Sequence, residues 1–204
     1  MNRDFVEVIQ TEIPENSVLI TVGLPGSWKS PVTEEIARLK GFQILRSDLI
    51  RLEVLKGLDI FDNKVASSSE NRRRVYEEMF RQAEAALKTS TESPGGLILD
   101  ATFVTQDLRL QAAAIGHRAA RPFVVAECVC SEDRSIERIL KRTKEHYESN
   151  ALTREAYLNN KALFEPVNVS KIKETVPSLP VIHLIIDTEK DSPADWRIKN
   201  VVRG

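Results

Sequence analysis

The chain has 204 residues, of which 42% are hydrophobic and 29% are charged, and its formal net charge is −1. This size and composition are typical of one globular domain with a substantial core. The near-neutral charge provides no long-range attraction to nucleic acid or anionic lipid, and no apolar run approaches the roughly 20 residues of a membrane-spanning helix. Because the N-terminus also lacks the apolar core of a signal peptide, we expect a cytoplasmic protein without a membrane partner.

Short apolar segments alternate with helical patterns along the chain. After a mixed-charge entry segment, apolar runs predict five strands, at 18–22, 42–45, 97–99, 123–130 and 181–187. Spacings of three or four residues predict helices between these strands, most clearly over 69–88, and the residues after 187 are expected to form a polar tail. Such an alternation predicts an α/β domain, with a parallel sheet covered by helices on both faces.

The cysteines and histidines give little indication of a metal site. Cys128 and Cys130 lie two apart in a strand-like run, so both thiols would face the same side of the sheet. So close a pair is a poor disulfide candidate, and one Cys-x-Cys without a second pair is a weak metal signal. We therefore expect two thiols packed within a strand.

The segment between the first strand and the first helix has the spacing of a phosphate-binding P-loop. It reads Gly23-Leu24-Pro25-Gly26-Ser27-Trp28-Lys29-Ser30, which matches G-x-x-x-x-G-K-[S/T] except that Trp28 replaces the second glycine. In such loops, successive backbone N–H groups point at phosphate from a helix N-terminus. Lys29 is expected to reach the β- and γ-phosphates, and Ser30 to hold Mg²⁺. The predicted nucleotide contacts are Gly23, Pro25, Gly26, Ser27, Trp28, Lys29 and Ser30.

Two residues depart from the usual P-loop. Trp28 keeps a backbone N–H, but its indole has to turn away from the phosphates. Pro31 has no N–H, and losing one charge-assisted hydrogen bond costs about 1.5–3 kcal/mol, or about one to two orders of magnitude in nucleotide affinity. The alternative is a glycine-containing turn before a helix, in which Lys29 and Ser30 are merely exposed.

A second motif, Arg46-Ser47-Asp48-Leu49-Ile50-Arg51, follows the second strand. Taken alone, Asp48 is equally suited to cap the next helix, with Arg51 in solvent. Together with the loop, however, the motif resembles the P-loop kinases. That group includes the kinase domain of polynucleotide 5′-hydroxyl kinases and small AAA-type, zeta-toxin-like "predicted kinases". The resemblance implies that Asp48 is the general base for a substrate hydroxyl and that Arg51 binds the substrate.

The resemblance continues through the rest of the chain to about residue 166. Asp100, at the end of the third strand, is expected to support Mg²⁺ or its waters, with the capping of a turn as the alternative. Arg138 and Arg142 match the R-x-x-x-R pattern of a lid at approximately 131–166, and are expected to stabilise the transferring charge. A solvated basic helix face is the alternative. It is the better reading for residues 72–74, three consecutive arginines for which contact with an anionic substrate is the other possibility. The expected catalytic residues are Lys29, Asp48, Arg138 and Arg142.

The resemblance implies a three-layer P-loop NTPase fold over residues 1–204, with a five-stranded parallel sheet in the order 2-3-1-4-5 and a small helical lid. The implied reaction is ATP- and Mg²⁺-dependent phosphoryl transfer to a hydroxyl of a small molecule or a nucleic-acid end. The expected partners are a nucleotide and a hydroxyl-bearing acceptor of unknown identity. Two alternatives are a regulatory nucleotide-binding protein with a degenerate loop, and a simple NTPase that transfers phosphate to water.

Overall fold

The computed structural model describes residues 2–89, 95–142 and 151–204. The strands in this part of the chain are β1 (Arg3–Asp4), β2 (Val18–Val22), β3 (Gln43–Arg46), β4 (Leu97–Asp100), β5 (Phe123–Val129), β6 (Val181–Asp187) and β7 (Arg197–Arg203). The helices are α1 (Phe5–Glu12), α2 (Lys29–Lys40), α3 (Ser47–Val54), α4 (Asn63–Ser67), α5 (Ser69–Thr89), α6 (Gln106–Arg118), α7 (Glu132–Leu140), α8 (Arg154–Leu163) and α9 (Val169–Thr175). A single 3₁₀ turn, Pro193–Asp195, precedes β7.

Within the described residues the strands form one seven-stranded sheet, ordered β1-β7-β6-β5-β2-β4-β3. The five predicted strands are parallel and follow the expected order 2-3-1-4-5. The expected count of five is wrong, because β7 pairs antiparallel with β6, and β1 pairs antiparallel with β7. These two edge strands come from the segments that were interpreted as a polar tail and an entry segment. In β7 only Ile198 is buried, so the strand has no apolar run and depends on pairing with β6.

Helices cover both faces of the sheet, as expected for a three-layer α/β fold. Alternate residues of β2 join different apolar clusters, with Ile20 on the side of α5, α6 and α9, and Leu19 on the side of α1 and α2. Because both faces of β2 and β4 are covered, every residue of these two strands is buried. No helix in the described part of the chain is both long and apolar enough to cross a membrane.

Several helix boundaries follow the local sequence. The helix predicted over 69–88 is confirmed as α5. Ser131 and Thr153 accept backbone hydrogen bonds at the starts of α7 and α8, and Gly41 ends α2 with a φ of 68°. Both cysteines are free thiols, and Cys128 is buried in β5 as expected, whereas Cys130 follows the end of the strand and is only partly buried, so the expectation of two thiols within the strand is wrong for Cys130.

The sheet register brings three strand ends together. Thr21 of β2 and Arg46 of β3 are both register partners of Asp100 in β4. All three strands are parallel, so the loops that follow them leave the same edge of the sheet. Ligands of open α/β sheets bind at this carboxyl edge, so this edge is the expected position of the candidate site.

A fully buried arginine, Arg109 of α6, supports the loop after β4. Its guanidinium donates to the backbone oxygens of Phe103 and Val104 at 2.9 and 3.3 Å, and to those of Glu165 and Pro166 at 2.7 and 3.1 Å. A buried guanidinium is tolerated when its donors are satisfied in this way. Arg109 therefore ties the loop that follows Asp100 to the segment after α8.

Replacement of Arg109 is expected to destabilise the fold strongly. Arg109→Met keeps the side-chain length but leaves the carbonyl groups unpaired, and we expect a loss of about 3–5 kcal/mol of unfolding free energy in urea titrations. Arg118→Met on the same helix is the matched control, because Arg118 is exposed and only forms an ion pair with Glu84. We expect the control to lose less than about 1 kcal/mol. Equal losses for the two variants would contradict the role assigned to Arg109.

Candidate active site

The loop of residues 23–28 leaves β2 and turns directly into α2, which begins at Lys29. Gly23, Gly26 and Trp28 have positive φ angles of 149°, 82° and 58°. No side chain caps the N-terminus of α2, so the amides of its first turn have no side-chain acceptor. A helix start with free N–H groups and the positive end of the helix dipole is suited to bind phosphate.

The two loop glycines are required by the protein around them. A Cβ atom on Gly26 would lie 2.3 Å from the backbone oxygen of Ser135 in α7, and one on Gly23 would lie 2.6 Å from that of Cys128 in β5. Both distances are far below contact distance between carbon and oxygen. The glycines therefore allow the loop to pack directly against α7 and β5, in addition to making the tight path that the motif predicts.

Trp28 adopts the left-handed conformation that the missing glycine would take without strain. For a residue with a side chain, this conformation costs about 1–2 kcal/mol. The indole Nε1 donates to Asp191 Oδ1 at 2.9 Å, and the centre of the Trp28 ring lies 4.7 Å from the Arg138 guanidinium carbon. A cation over an aromatic face and a charge-assisted hydrogen bond offset the backbone strain. The indole is thus held beside the loop by residues from α7 and from the segment after β6.

Arg138 lies behind the loop, with a side chain that is only 4% exposed. It donates to the backbone oxygens of Gly26 at 3.2 Å and Thr188 at 2.7 Å, and its Nε and Nη2 bond Asp191 Oδ1 at 3.1 and 2.9 Å. The expectation that Arg138 faces the phosphates is therefore corrected. Its donors are directed at the protein, and it does not line the pocket.

Arg142 separates from Arg138 because α7 ends at Leu140, so the two arginines do not share one helical face. Arg142 lines the pocket and donates to the backbone oxygen of Ala151 at 3.4 Å. Residues 143–150 of the expected lid lie outside the described residues.

Lys29 and Asp100 carry opposite charges below the loop, where Asp100 is buried and Lys29 is partly buried. Burial lowers the pKa of the Lys29 ammonium, while the nearby Asp100 carboxylate acts in the opposite direction. Burial likewise raises the pKa of the Asp100 carboxyl, whereas a hydrogen bond with the Ser30 hydroxyl and the charge of Lys29 act to lower it. Thr21 Oγ1 also donates to Asp100 Oδ1 at 3.1 Å. Lys29 Nζ has a neutral hydrogen-bond partner, the backbone oxygen of Leu24 at 2.9 Å. A bound anion would therefore stabilise the charged form of Lys29.

Asp48 is the second residue of α3, whose N-cap position is Arg46, and no side chain caps this helix. The interpretation of Asp48 as an N-cap is therefore wrong. Its carboxylate instead forms an ion pair with Arg51, one helical turn later, and both side chains line the pocket. The pair orients the Asp48 carboxylate within the cavity, which is the requirement for a general base.

These groups surround a pocket of about 980 Å³, within the size range of small-molecule sites. It lies between the loop after β2 and helices α3, α5 and α8. Of the residues assigned to the site from the sequence, all but Gly23, Ser27 and Arg138 line it. The structure thus gathers the loop, Asp48, Arg51, Asp100 and Arg142 around one cavity.

Residues 18–167 match the family model described as "AAA domain". The chain belongs to this family. The match supports the AAA-type P-loop resemblance, whereas the finer resemblance to polynucleotide 5′-hydroxyl kinases or zeta toxins stays a prediction. None of the curated proteins that were compared matches the sequence significantly.

Solved structures similar to this AAA domain protein include three described as kinases. A gluconokinase from Sinorhizobium meliloti 1021 aligns with a TM-score of 0.55 at 15% identity, covering 87% of this chain and 86% of that one. A sugar kinase from Janibacter sp. HTCC2649 aligns with a TM-score of 0.54 at 13% identity, covering 87% of this chain and 88% of that one. A candidate kinase from Chloroflexus aurantiacus aligns with a TM-score of 0.56 at 21% identity, covering 85% of this chain and 89% of that one. At these identities the likeness shows a shared fold.

Some residues at the candidate site of this AAA domain protein could not be identified from the local sequence around them. Asp191 falls in the segment that was interpreted as a polar tail, yet it binds both Trp28 and Arg138. Tyr76, from the middle of α5, accepts a hydrogen bond from the Phe103 N–H at 2.9 Å and lines the pocket. Only the pairing of distant segments places these residues at the site.

The oxygen donors of the AAA domain site fit Mg²⁺. The hydroxyl of Ser30 and the carboxylate of Asp100 are hard donors, and Mg²⁺ is usually held by one or two protein oxygens together with substrate phosphates and water. Among the described residues there is no group of three or more His, Cys, Asp or Glu side chains that would form a complete protein cage. A sparse donor set of this kind suits a metal ion that arrives with a nucleotide.

Gly26→Ala is expected to disrupt the loop more than an equivalent change elsewhere. Gly41→Ala is the matched control, since Gly41 also has a positive φ but a Cβ there would meet nothing within 4 Å. We expect about 1 kcal/mol of destabilisation for Gly41→Ala, from the backbone conformation alone. Gly26→Ala should lose at least twice as much in urea unfolding, because the methyl group overlaps Ser135. Equal losses would show that close packing against α7 is not required.

Proposed function

We propose that this AAA domain protein transfers the γ-phosphoryl group of ATP to a hydroxyl group of an acceptor, either a small molecule or a nucleic-acid end. One observation carries the proposal. The uncapped start of α2 with partly buried Lys29, and the oriented carboxylate of Asp48, line the same pocket. Phosphoryl transfer requires these two elements together, a phosphate cradle and a group that accepts the proton of the nucleophile.

The proposed nucleotide site is the loop of residues 23–30. Backbone N–H groups of the loop and of the first turn of α2 bind the phosphates, and Lys29 contacts the β- and γ-phosphates. Ser30 and Asp100 hold Mg²⁺, which when bound neutralises part of the phosphate charge. Trp28 lines the pocket at the nucleotide end, so its fluorescence is a suitable reporter of binding.

The proposed transfer step begins with the acceptor hydroxyl near Asp48. The hydroxyl oxygen bonds to the γ-phosphorus while Asp48 takes the hydroxyl proton, and the bond from that phosphorus to the bridging oxygen breaks, releasing ADP. Arg51 orients Asp48 through their ion pair and contacts the acceptor. Arg142 and Lys29 stabilise the charge on the transferring group.

Arg138 is assigned a positioning role in this proposal. Its hydrogen bond to Gly26 and its stacking on Trp28 support the back of the loop, so it promotes transfer by keeping the cradle in shape. We further propose that residues 1–204 form a single domain, in which the lid expected at approximately 131–166 does not include α7, because Ser135 and Arg138 pack α7 against the loop.

Pro31 favours a second candidate, a regulatory protein that binds nucleotide without transferring phosphate. Pro31 is the third residue of α2 and lines the pocket without an N–H to offer. A cradle with one donor fewer binds phosphate less tightly and stabilises transferring charge less well. The two candidates differ in turnover, which makes them separable in one assay.

Asp48→Asn should abolish transfer and leave ATP binding intact. The amide cannot take the hydroxyl proton, so we expect a 10²- to 10⁴-fold fall in kcat with labelled ATP across a panel of alcohols. The Kd for ATP and Mg²⁺, followed by Trp28 fluorescence, should change less than about threefold. The Trp28→Phe variant separates the fluorescence of Trp28 from that of Trp196, which is buried and remains in the variant.

Glu53→Gln is the matched control for Asp48→Asn, because Glu53 is exposed on the same helix and does not line the pocket. It should leave both kcat and Kd unchanged. If Asp48→Asn weakens ATP binding as much as transfer, Asp48 is not the base. ATP binding without turnover on any alcohol would support the regulatory candidate, and phosphate release without an acceptor would support a simple NTPase.

A further inference from the structure

Arg72 differs from the two arginines that follow it on α5. Arg73 pairs with Glu70 and Glu77 on the outer side of the helix, and Arg74 donates to the backbone oxygen of Val54. The half-buried Arg72 faces the pocket, and its guanidinium forms no hydrogen bond or ion pair with any residue that the structure describes. The expectation of a uniformly solvated basic face therefore holds for Arg73 and not for Arg72.

Arg72 lies one helical turn before Tyr76 on α5, and both residues line the pocket. The start of α5 packs against α3, the helix of Asp48 and Arg51, where Arg74 donates to a backbone oxygen. Arg51 is paired with Asp48, whereas Arg72 has no counterion among the described residues. A partly desolvated cation of this kind favours an anion.

The other carboxylates along the pocket wall differ in their surroundings. Glu34 pairs with Arg46, Asp100 lies buried near Lys29, and Glu155 is exposed on α8, where solvent screens its charge. Part of the pocket wall is apolar, formed by Leu55, Ile60 and Phe61. Among the described residues, the pocket therefore combines a cation that has no ion-pair partner with a surface suited to a carbon skeleton.

We propose that Arg72 binds an anionic group of the acceptor, so that the substrate is an alcohol carrying a carboxylate or a phosphate. The inference rests on the proposed phosphoryl transfer and specifies its acceptor. An alcohol held by its anionic group at Arg72 presents its hydroxyl to Asp48, near the loop that cradles ATP. A guanidinium binds either anion through paired N–H donors, so both sources are compatible with the geometry.

The test compares Arg72→Gln with Arg73→Gln, a neighbour that points away from the pocket. The acceptors are D-gluconate against D-glucose, and D-glycerate and glycerol 3-phosphate against glycerol. We expect the wild type to prefer the anionic member of a pair. Arg72→Gln should raise the KM of that member by about 10- to 100-fold, with the KM of ATP and the kcat/KM of the neutral member changed less than threefold. Arg73→Gln should match the wild type.

Calorimetric binding of the same anionic alcohols separates this inference from the proposed function. If they bind the wild type and lose about 10-fold or more in affinity in Arg72→Gln, the anion site stands even if no transfer is detected. Preference for the carboxylates or for glycerol 3-phosphate identifies the source of the anion. Transfer that favours neutral alcohols, equal effects of the two substitutions, or no binding of any anionic alcohol overturns the role of Arg72. Circular dichroism establishes that both variants are folded.

Discussion

The shape of the phosphate loop depends on one buried cation, the guanidinium of Arg138. Its hydrogen bonds reach Gly26 in the loop and Thr188 and Asp191 after β6, so that a single side chain joins three segments that are distant in sequence. Gly23 and Gly26 adopt their positive φ angles without strain, but the left-handed conformation of Trp28 is strained, so local preference alone does not fix the loop. The support behind the loop supplies the energy that holds it in place.

The replacement of a glycine by Trp28 is tolerated for the same reason. The left-handed backbone at position 28 is retained, and the indole is accommodated between Arg138 and Asp191 on the side of the loop. The free-energy cost of the left-handed backbone at Trp28 is offset by tertiary contacts of the indole that stabilise the fold by a comparable amount. A P-loop can therefore keep its path while losing a residue of its motif, provided that neighbouring elements compensate.

The charges of the pocket are divided between its two ends. Below the loop, burial opposes the charged forms of both Lys29 and Asp100, and a triphosphate with a metal ion would relieve the two penalties together. At the other end, Asp48 is paired with Arg51 while Arg72 has no counterion among the described residues. Among the described residues, the pocket thus has an opposite pair of charges below the loop and, on α5, an arginine that has no ion-pair partner.

The sequence by itself determined the α/β class, the order of the parallel strands through a family resemblance, and the position of the loop. These features follow from apolar periodicity and from short motifs, which act locally. It also placed Asp48, Lys29 and Asp100 at one edge, because the ends of parallel strands meet there. Only the tertiary structure decided the edge strand β7, the inward role of Arg138 and the position of Arg72 at the pocket, without an ion-pair partner among the described residues. Each of these features depends on which distant segment of the chain packs against it. The charges and residue spacing within one helix or strand do not determine that neighbour.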